Sequence, residues 1–120
     1  MATIQATLNI TSSDATSENL AIAQTNAITV GNPVQNTSRI DITSGSPVVL
    51  VAAAKASVTY VYLKNVDATN NLDLAEAATS ISFGTLLPGE WAFLPVKALV
   101  GLEVDAVAGT AELEYGFWSA

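Results

Sequence analysis

Residues 58–118 read VTYVYLKN (58–65), DATNN (67–71), SISFGTLLPGEWAFL (80–94), LEVDAV (102–107), AGT (108–110) and AELEYGFW (111–118). Apolar and polar residues alternate along the longer segments, and the segments are separated by Asn, Asp, Pro or Gly. Alternation of period two predicts strands with one buried face, and turn residues at short intervals predict hairpins between them. This half of the chain is therefore predicted to be a small antiparallel β-structure.

Alternation also marks the first half of the chain. It is clearest at residues 3–11, where apolar residues alternate with Thr, Gln and Asn. Residues 20–30 predict one strand, or two strands divided near Thr25 and Asn26, and the sequence at 31–33 (GNP) interrupts the pattern. The remaining predicted strands span 38–43, 58–65, 71–75, 80–84, 90–94, 101–107 and 110–118.

Two segments are ambiguous. In VVLVAAA (48–54) the β-branched residues favour a strand buried on both faces, whereas the alanines are compatible with one helical turn, and we favour a strand followed by a loop. Residues 95–100 could include a short helical turn. About ten short strands with almost no helix predict an all-β protein, a single antiparallel β-sandwich or jelly-roll-like barrel that forms one domain over residues 1–120.

Composition argues against several classes of function. The 120 residues include no Cys and no His, which removes thiolate chemistry, the commonest general base and the commonest metal ligand. We therefore expect no enzyme, no cofactor and no metal. Eleven acidic residues against four basic ones give a net charge of −7, which would repel a phosphate backbone, so no nucleic-acid partner is expected. No apolar run is long enough to span a membrane, and the N-terminus is predicted to be a cytosolic start rather than a secretory signal.

The segments 102–107 and 110–118 predict a last hairpin whose register is set by the hydrophobic pattern. An even loop around Ala108 and Gly109 places the apolar residues together on the core face, and an odd loop would mix core with solvent. The core face then contains Leu102, Val104, Ala106, Ala111, Leu113 and Tyr115, and the outer face contains Glu103, Asp105, Glu112 and Glu114. Four carboxylates on one face are compatible with a solvated surface, a contact with a partner, or a hard cation such as calcium.

Aromatic residues supply the other candidates for an interface. Trp118 shares the outward parity of Glu112 and Glu114, so it is predicted either to anchor a contact with another chain or to fold back onto its own domain. Tyr60 and Tyr62 share one face of residues 58–65, which suggests a central strand or a contact surface. The alternation at 91–94 places Trp91 and Phe93 together, and we expect both to lie in the core.

The segments YVYLKNVDATNNLDL (60–74), LLPGEWAFLPV (86–96) and AGTAELEYGFW (108–118) resemble small β-rich structural proteins of tailed bacteriophages. The resemblance covers roughly residues 58–118 and consists of turn and strand signatures rather than chemistry. It implies a virion component assembled in the host cytoplasm, either a capsid cement or decoration protein or a module of the tail or its fibres. Partners implied are the major capsid protein or other virion proteins and further copies of the same chain, with a trimer preferred.

The tentative interface residues are thus Tyr60, Tyr62, Glu103, Asp105, Glu112, Glu114 and Trp118. A decoration protein would bridge coat subunits and oppose the pressure of packaged DNA, which requires a rigid sandwich and no reactive side chain. The main rival from another class is a carbohydrate-binding β-sandwich that uses Tyr60, Tyr62 or Trp118 to stack on sugars.

Overall fold

The structure, a computed structural model, describes residues 2–31 and 37–120, so the predicted interruption at Asn32 and Pro33 lies outside the described residues. The chain divides into two compact units, Met1–Asn32 and Pro33–Ala120. All regular secondary structure in the described ranges is β-strand, and every strand pair is antiparallel. This confirms the all-β prediction. That the two units form one domain stays a prediction.

The first unit is a long β-hairpin. Strand β1 (Ala2–Ser12) pairs with β2 (Leu20–Val30) in one unbroken register from Ala2 opposite Val30 to Ser12 opposite Leu20. The possible division of the second strand near Thr25 and Asn26 is wrong. These two residues continue the ladder, because each has a partner in β1 and the Thr25 hydroxyl lies 3.3 Å from that of Thr7.

The second unit is a β-sandwich of two four-stranded sheets, as predicted. In spatial order, the front sheet contains β3 (Ser38–Thr43), β10 (Thr110–Ser119), β5 (Thr59–Asn65) and β8 (Trp91–Val96). The back sheet contains β4 (Val48–Val51), β9 (Leu102–Ala106), β6 (Leu72–Ala75) and β7 (Ser82–Leu86). The strand predicted at 80–84 lies two residues further along the chain. Strand β5 is a central strand, which is one of the two possibilities suggested for residues 58–65.

Aliphatic side chains from both sheets form the core between them. Alternate residues of the inner strands point inward, so that Leu63 and Leu113 of the front sheet and Leu72 and Val104 of the back sheet are completely buried. Full burial of a side chain of this kind stabilises the fold by roughly 1.5–3 kcal/mol. The predicted core face of residues 102–115 is confirmed, with Tyr115 partly buried against the same cluster.

The prediction of hairpins throughout residues 58–118 is wrong, because most turns join strands of different sheets. Of the connections between consecutive strands from β3 to β10, only β6 to β7 links neighbours in one sheet. In particular, β9 pairs with β4 and β6 in the back sheet, whereas β10 pairs with β3 and β5 in the front sheet. Leu102 and Val104 therefore face Leu113 across the core instead of lying beside it.

The two ambiguous segments are extended or turn structure. Val48–Val51 forms a strand followed by a turn, as favoured, but β4 is an edge strand and Val49 is exposed, so it is not buried on both faces. Residues 95–100 contain no helix. They end β8 and continue into a turn in which the Val100 N–H donates to the Lys97 carbonyl over 3.3 Å.

A buried asparagine organises the Asn-rich turn between β5 and β6. The Asn65 amide donates to the carbonyl oxygens of Asn70 and Leu86, both over 2.9 Å, and its oxygen accepts the Asp67 N–H. The Asp67 carboxylate in turn accepts the N–H groups of Asn70 and Thr69, and these hydrogen bonds lower the pKa of Asp67. Asn65 thus satisfies polar backbone groups that the end of the sandwich would otherwise leave unpaired.

Gly89 and Gly101, which both have positive φ, allow a matched test of how closely β9 approaches the turn after β4. Gly101 (φ 75°) precedes β9, and a Cβ there would touch the Val51 carbonyl oxygen and lie 2.9 Å from Ala53 N. Gly89 (φ 84°) has no atom within 4 Å of the same position. Gly89→Ala should cost only the backbone strain of about 1–2 kcal/mol, whereas Gly101→Ala should cost clearly more, because backbone must also move.

Chemical denaturation of the two variants measures the difference. Equal losses in the free energy of unfolding would contradict the close approach of β9 to the turn after β4.

Candidate functional site

The outer face of the front sheet is the candidate site. The side chains of β5, β8 and β10 that point away from the core include five aromatic rings, together with charged residues such as Lys64, Glu112 and Glu114. We call this surface the aromatic face, and it consists of Tyr60, Tyr62, Trp91, Phe93, Pro95 and Trp118. Trp91 is the most open of its aromatic residues and is 54% exposed.

Strand register arranges these side chains in rows across the sheet. Phe93 lies opposite Tyr62, and Tyr60 lies opposite Pro95 on one side and Trp118 on the other. The rings of Tyr60 and Phe93 are nearly parallel, with an interplanar angle of 8° and centroids 6.2 Å apart. Parallel rings standing side by side give the sheet a flat apolar surface rather than a pocket.

Trp118 rests on the sheet because a glycine lies beneath it. A Cβ at Gly116 would lie 3.1 Å from Cη2 of the Trp118 ring, closer than side chains normally approach. The indole is therefore packed back along β10 and is neither fully exposed nor buried. Trp118 thus folds back onto its own strand, as one of the two alternatives predicted, and its role as an anchor for another chain stays a prediction.

Trp91 and Phe93 correct the sequence-based expectation that they lie in the core. Their neighbours Ala92 and Leu94 point inward instead, opposite Leu63 and Val61 of β5. Both sets of alternating residues on β8 are apolar, so alternation alone did not decide which set is buried. The narrow space between the sheets accepts the aliphatic set.

Charged side chains border the aromatic face on the side of β3, and Lys64 of β5, which lies opposite both Glu114 and Trp91, extends this charged row to β8. Arg39 contacts Glu114 through two nitrogens, with Nε at 3.1 Å and Nη2 at 3.0 Å from Oε2, while its Nη1 lies 4.0 Å from Glu112 Oε1. The other oxygen of Glu114 accepts a hydrogen bond of 2.9 Å from the Tyr62 hydroxyl. Glu114 thus connects the charged border to the aromatic face.

The same hydrogen bonds change the titration of both partners. The Tyr62 hydroxyl, then Arg39, stabilises the carboxylate and lowers the pKa of Glu114 below 4.5. Burial, then the hydrogen bond and negative charge of Glu114, raises the pKa of Tyr62 above 10.0. Near pH 7 the contact therefore joins a neutral phenol to a charged carboxylate, the stronger kind of hydrogen bond.

The four carboxylates expected on one face lie on two different sheets, which corrects that expectation. Glu112 and Glu114 belong to the front sheet, whereas Glu103 and Asp105 belong to the back sheet. Glu103 is buried, and Asp105 lies opposite Asp73 and accepts the Gly45 N–H over 3.2 Å. The structure thus brings Tyr60, Tyr62, Glu112, Glu114 and Trp118 together and leaves Glu103 and Asp105 apart from them.

Other kinds of site find no support in the described ranges. Residues 2–31 and 37–120 contain no group of three or more acidic, His or Cys side chains placed to hold a metal ion. The same residues include no helix long and apolar enough to cross a membrane. Comparisons with protein-family models, with curated proteins and with solved structures found no match.

Sequence reasoning missed Trp91, Phe93, Pro95 and the role of Gly116. One signal was available for the β8 residues. Pro95 shares their parity, and proline is tolerated on an edge strand whose backbone N–H faces outward from the sheet. No sequence signal identified Gly116, because the contact it makes possible involves the packing of a side chain two residues away.

The hydrogen bond between Tyr62 and Glu114 predicts that substituting Tyr62 lowers the free energy of unfolding by an amount that depends on pH. Because the folded-state pKa of Glu114 is lowered, the stability that its hydrogen bonds contribute is present above pH 4.5 and is lost as the pH falls through the folded-state pKa. Tyr62→Phe should therefore lower the free energy of unfolding at pH 7, and its difference from the unmodified protein should shrink at about pH 3.

Tyr60→Phe is the matched control, since within the described residues the Tyr60 hydroxyl makes no hydrogen bond. Denaturant titrations at both pH values measure the effect. A difference for Tyr62→Phe that stays constant with pH would contradict the assigned bond.

Proposed function

We propose that this protein is a non-enzymatic structural protein of a bacteriophage virion, a capsid cement or decoration protein that binds coat subunits through the aromatic face. The observation that carries the proposal is the aromatic face itself, a flat apolar surface on a rigid sheet with a charged border. Its location is the virion, which is assembled in the host cytoplasm, and its partner is the major capsid protein.

The composition of the aromatic face supports a protein-binding role. Tyr, Trp, Phe and Arg are enriched at interfaces between proteins and supply most residues whose loss weakens binding strongly, and charged groups concentrate at the rim. Here the aromatic residues occupy three adjacent strands, and Arg39, Glu112 and Glu114 lie at one side. This is the arrangement of an apolar centre with a polar edge.

Rigidity supports the same role. The residues of the aromatic face alternate with core residues such as Val61, Leu63 and Leu113, so the face is held by the packing of the sandwich. A preorganised surface loses little conformational freedom when it binds. Repeated over a symmetric shell, even a modest contact at each site accumulates into strong attachment.

The proposed mechanism is mechanical. Each copy would contact neighbouring coat subunits through the aromatic face and hold them together against the pressure of packaged DNA. The core supplies stiffness, and no reactive group takes part.

Mass spectrometry of purified particles tests the virion assignment. The chain should be detected together with the coat protein, in hundreds of copies for a decoration protein; a tail or tail-fibre module would be present in far fewer. These ranges follow from the resemblance to phage structural proteins. Absence of the chain from particles rich in coat protein would refute the proposal.

Variants of the aromatic face test the binding surface. Trp91→Ala combined with Trp118→Ala should weaken binding to particles lacking the protein, by about thirtyfold or more if either residue is an energetic centre of the interface. Phe83→Ala is the matched control, since Phe83 is also 54% exposed but belongs to the back sheet. Cosedimentation with particles measures both, and equal weakening would contradict a role for the aromatic face.

A carbohydrate-binding sandwich is the second candidate, and one observation favours it. The nearly parallel rings of Tyr60 and Phe93, with Trp118 beside Tyr60, form a surface on which sugar rings can stack. A glycan array, with the Trp91 and Trp118 double variant as the negative control, distinguishes the two candidates. Absence of any hit at several protein concentrations would dismiss the carbohydrate reading.

A further inference from the structure

The two most exposed large apolar side chains among the described residues lie at the same end of the sandwich. Leu99 is 64% exposed and Ile81 is 62% exposed. Leu99 lies in the loop before β9 and Ile81 comes directly before β7, and these two strands flank β6 in the back sheet. Neighbouring strands are about 4.8 Å apart, so the two positions are separated by roughly 10 Å.

Backbone hydrogen bonds join the three loops at this end of the sandwich. The Leu99 N–H donates to the Lys55 carbonyl over 2.8 Å, and the Ala78 N–H donates to the Val100 carbonyl over 3.0 Å. The loops therefore form one connected surface rather than three independent segments. We call this surface the lysine end, and it consists of residues 52–58, 76–81 and 97–101.

The backbone of the lysine end is strained. In the described part of the chain, the non-glycine residues with positive φ are Leu99 (φ 65°) and Ser80 (φ 58°), and both belong to this end. This conformation is costly for a residue with a Cβ, and such residues concentrate at binding sites, where the surrounding contacts impose the conformation. Because the Leu99 side chain is largely exposed, its burial within this chain does not compensate for the strain.

The lysine end also differs in charge from the rest of the chain. Acidic residues outnumber basic ones by eleven to four, yet this end contains Lys55 and Lys97 and a single acidic residue, Glu76. The Glu76 carboxylate accepts the Thr79 hydroxyl over 3.1 Å. All ion pairs within residues 2–31 and 37–120 are made by Arg39. Both lysines are exposed, so their ammonium groups are open to a partner.

The opposite end of the sandwich lacks this combination of features. It has exposed apolar side chains as well, since Val107 is 52% and Leu87 49% exposed. Its charged residues, however, are Asp67 and Glu90, and it contains no basic residue. The loops of this opposite end are residues 44–47, 66–71, 87–90 and 107–109.

We propose that the lysine end is a docking site for an extended acidic segment of another protein. An apolar side chain of that segment packs between Leu99 and Ile81. Carboxylates beside it contact Lys55 and Lys97. The lysine end shares no residue with the aromatic face, and the inference does not rest on the proposed virion function.

Charge favours a protein segment over a more extended anionic partner. A membrane surface or a phosphate backbone is wide, so it would also meet the acidic remainder of a chain whose net charge is −7. A short segment can place its carboxylates at the lysine end alone. Its backbone can approach closely, because the loop between Leu99 and Ile81 contains small side chains such as Ala77 and Ala78.

The fixed direction of Leu99 favours a specific contact. A side chain already held in one conformation loses little freedom when it is bound, and a single apolar anchor can supply much of the binding energy. This explains why the strain at Leu99 is compatible with function although it does not stabilise the free protein.

Leu99→Gly separates binding from folding. Glycine adopts positive φ without strain, which offsets the added freedom of the unfolded chain, so the midpoint of denaturation should stay the same or rise. Loss of the apolar anchor should weaken binding of the segment at least about tenfold. Val107→Ala is the control, since it shortens an exposed apolar side chain at the opposite end and should leave binding unchanged.

A library of short random peptides is the probe, and the full-length protein is the target. The library is first cleared on the Leu99→Gly variant, which removes peptides that bind the aromatic face, and is then selected on the unmodified protein. The recovered peptides should carry Asp or Glu beside a large apolar residue. Calorimetry of individual peptides gives their affinities for each variant.

Paired substitutions then test the charge contact. Lys55→Gln with Lys97→Gln should weaken binding of a recovered peptide at least about tenfold. Replacing the acidic residues of the peptide by Asn or Gln should weaken binding to the same degree. Combining both changes should cost little more than either alone, because each removes the same contact.

Several results would overturn the inference. They are a library in which nothing survives the clearing step, recovered peptides without acidic residues, losses that simply add in the combined variant, or a lower denaturation midpoint for Leu99→Gly. Self-association of the free protein that depends on Leu99 would identify a second copy as the occupant instead. Loss of particle binding in the aromatic-face variants changes none of these results, so failure of one proposal is distinguishable from failure of the other.

Discussion

The rest of the structure depends on the packing of aliphatic side chains in the space between two four-stranded sheets. Each strand can give only one of its faces to that space, because successive side chains point to opposite sides of a sheet. On β5 either Val61 and Leu63 or Tyr60 and Tyr62 can point into this space. The aliphatic pair does so and is completely buried. The aromatic side chains are consequently displayed on the outside.

The same constraint explains why the chain crosses so often between the sheets. A turn after an alternating strand can return the chain beside that strand or carry it over to the opposite sheet. Either course keeps Val104 and Leu113 in the core. The turn at 107–109 takes the second course, and the Ser44 N–H donates to the Gly109 carbonyl over 2.8 Å at that crossing. Carboxylates expected to face one another are separated as a result.

The charged border shows how the outer face depends on strand order. Glu114 lies between Arg39 of β3 and Lys64 of β5 because β10 is the strand between those two. This position lets one carboxylate accept from both Arg39 and Tyr62 and keeps it ionised. Away from the border, Tyr60, Phe93, Pro95 and Trp118 leave this part of the outer face without charge.

The sequence by itself determined the all-β class, nearly all of the strands and most of the core, because alternation of period two directly reports which side chains can be buried together. It also identified Trp118 as outward-facing, since Trp118 shares the parity of Glu112 and Glu114, and it placed Tyr60 and Tyr62 together on one face of their strand without deciding that this face points outward.

Only the tertiary structure decided which strands are neighbours, and therefore that Trp91 and Phe93 join these residues while Glu103 and Asp105 do not. The physical reason is that a short turn and an alternating pattern have the same local energetics in a hairpin and in a crossing between sheets. Packing across the core distinguishes the two.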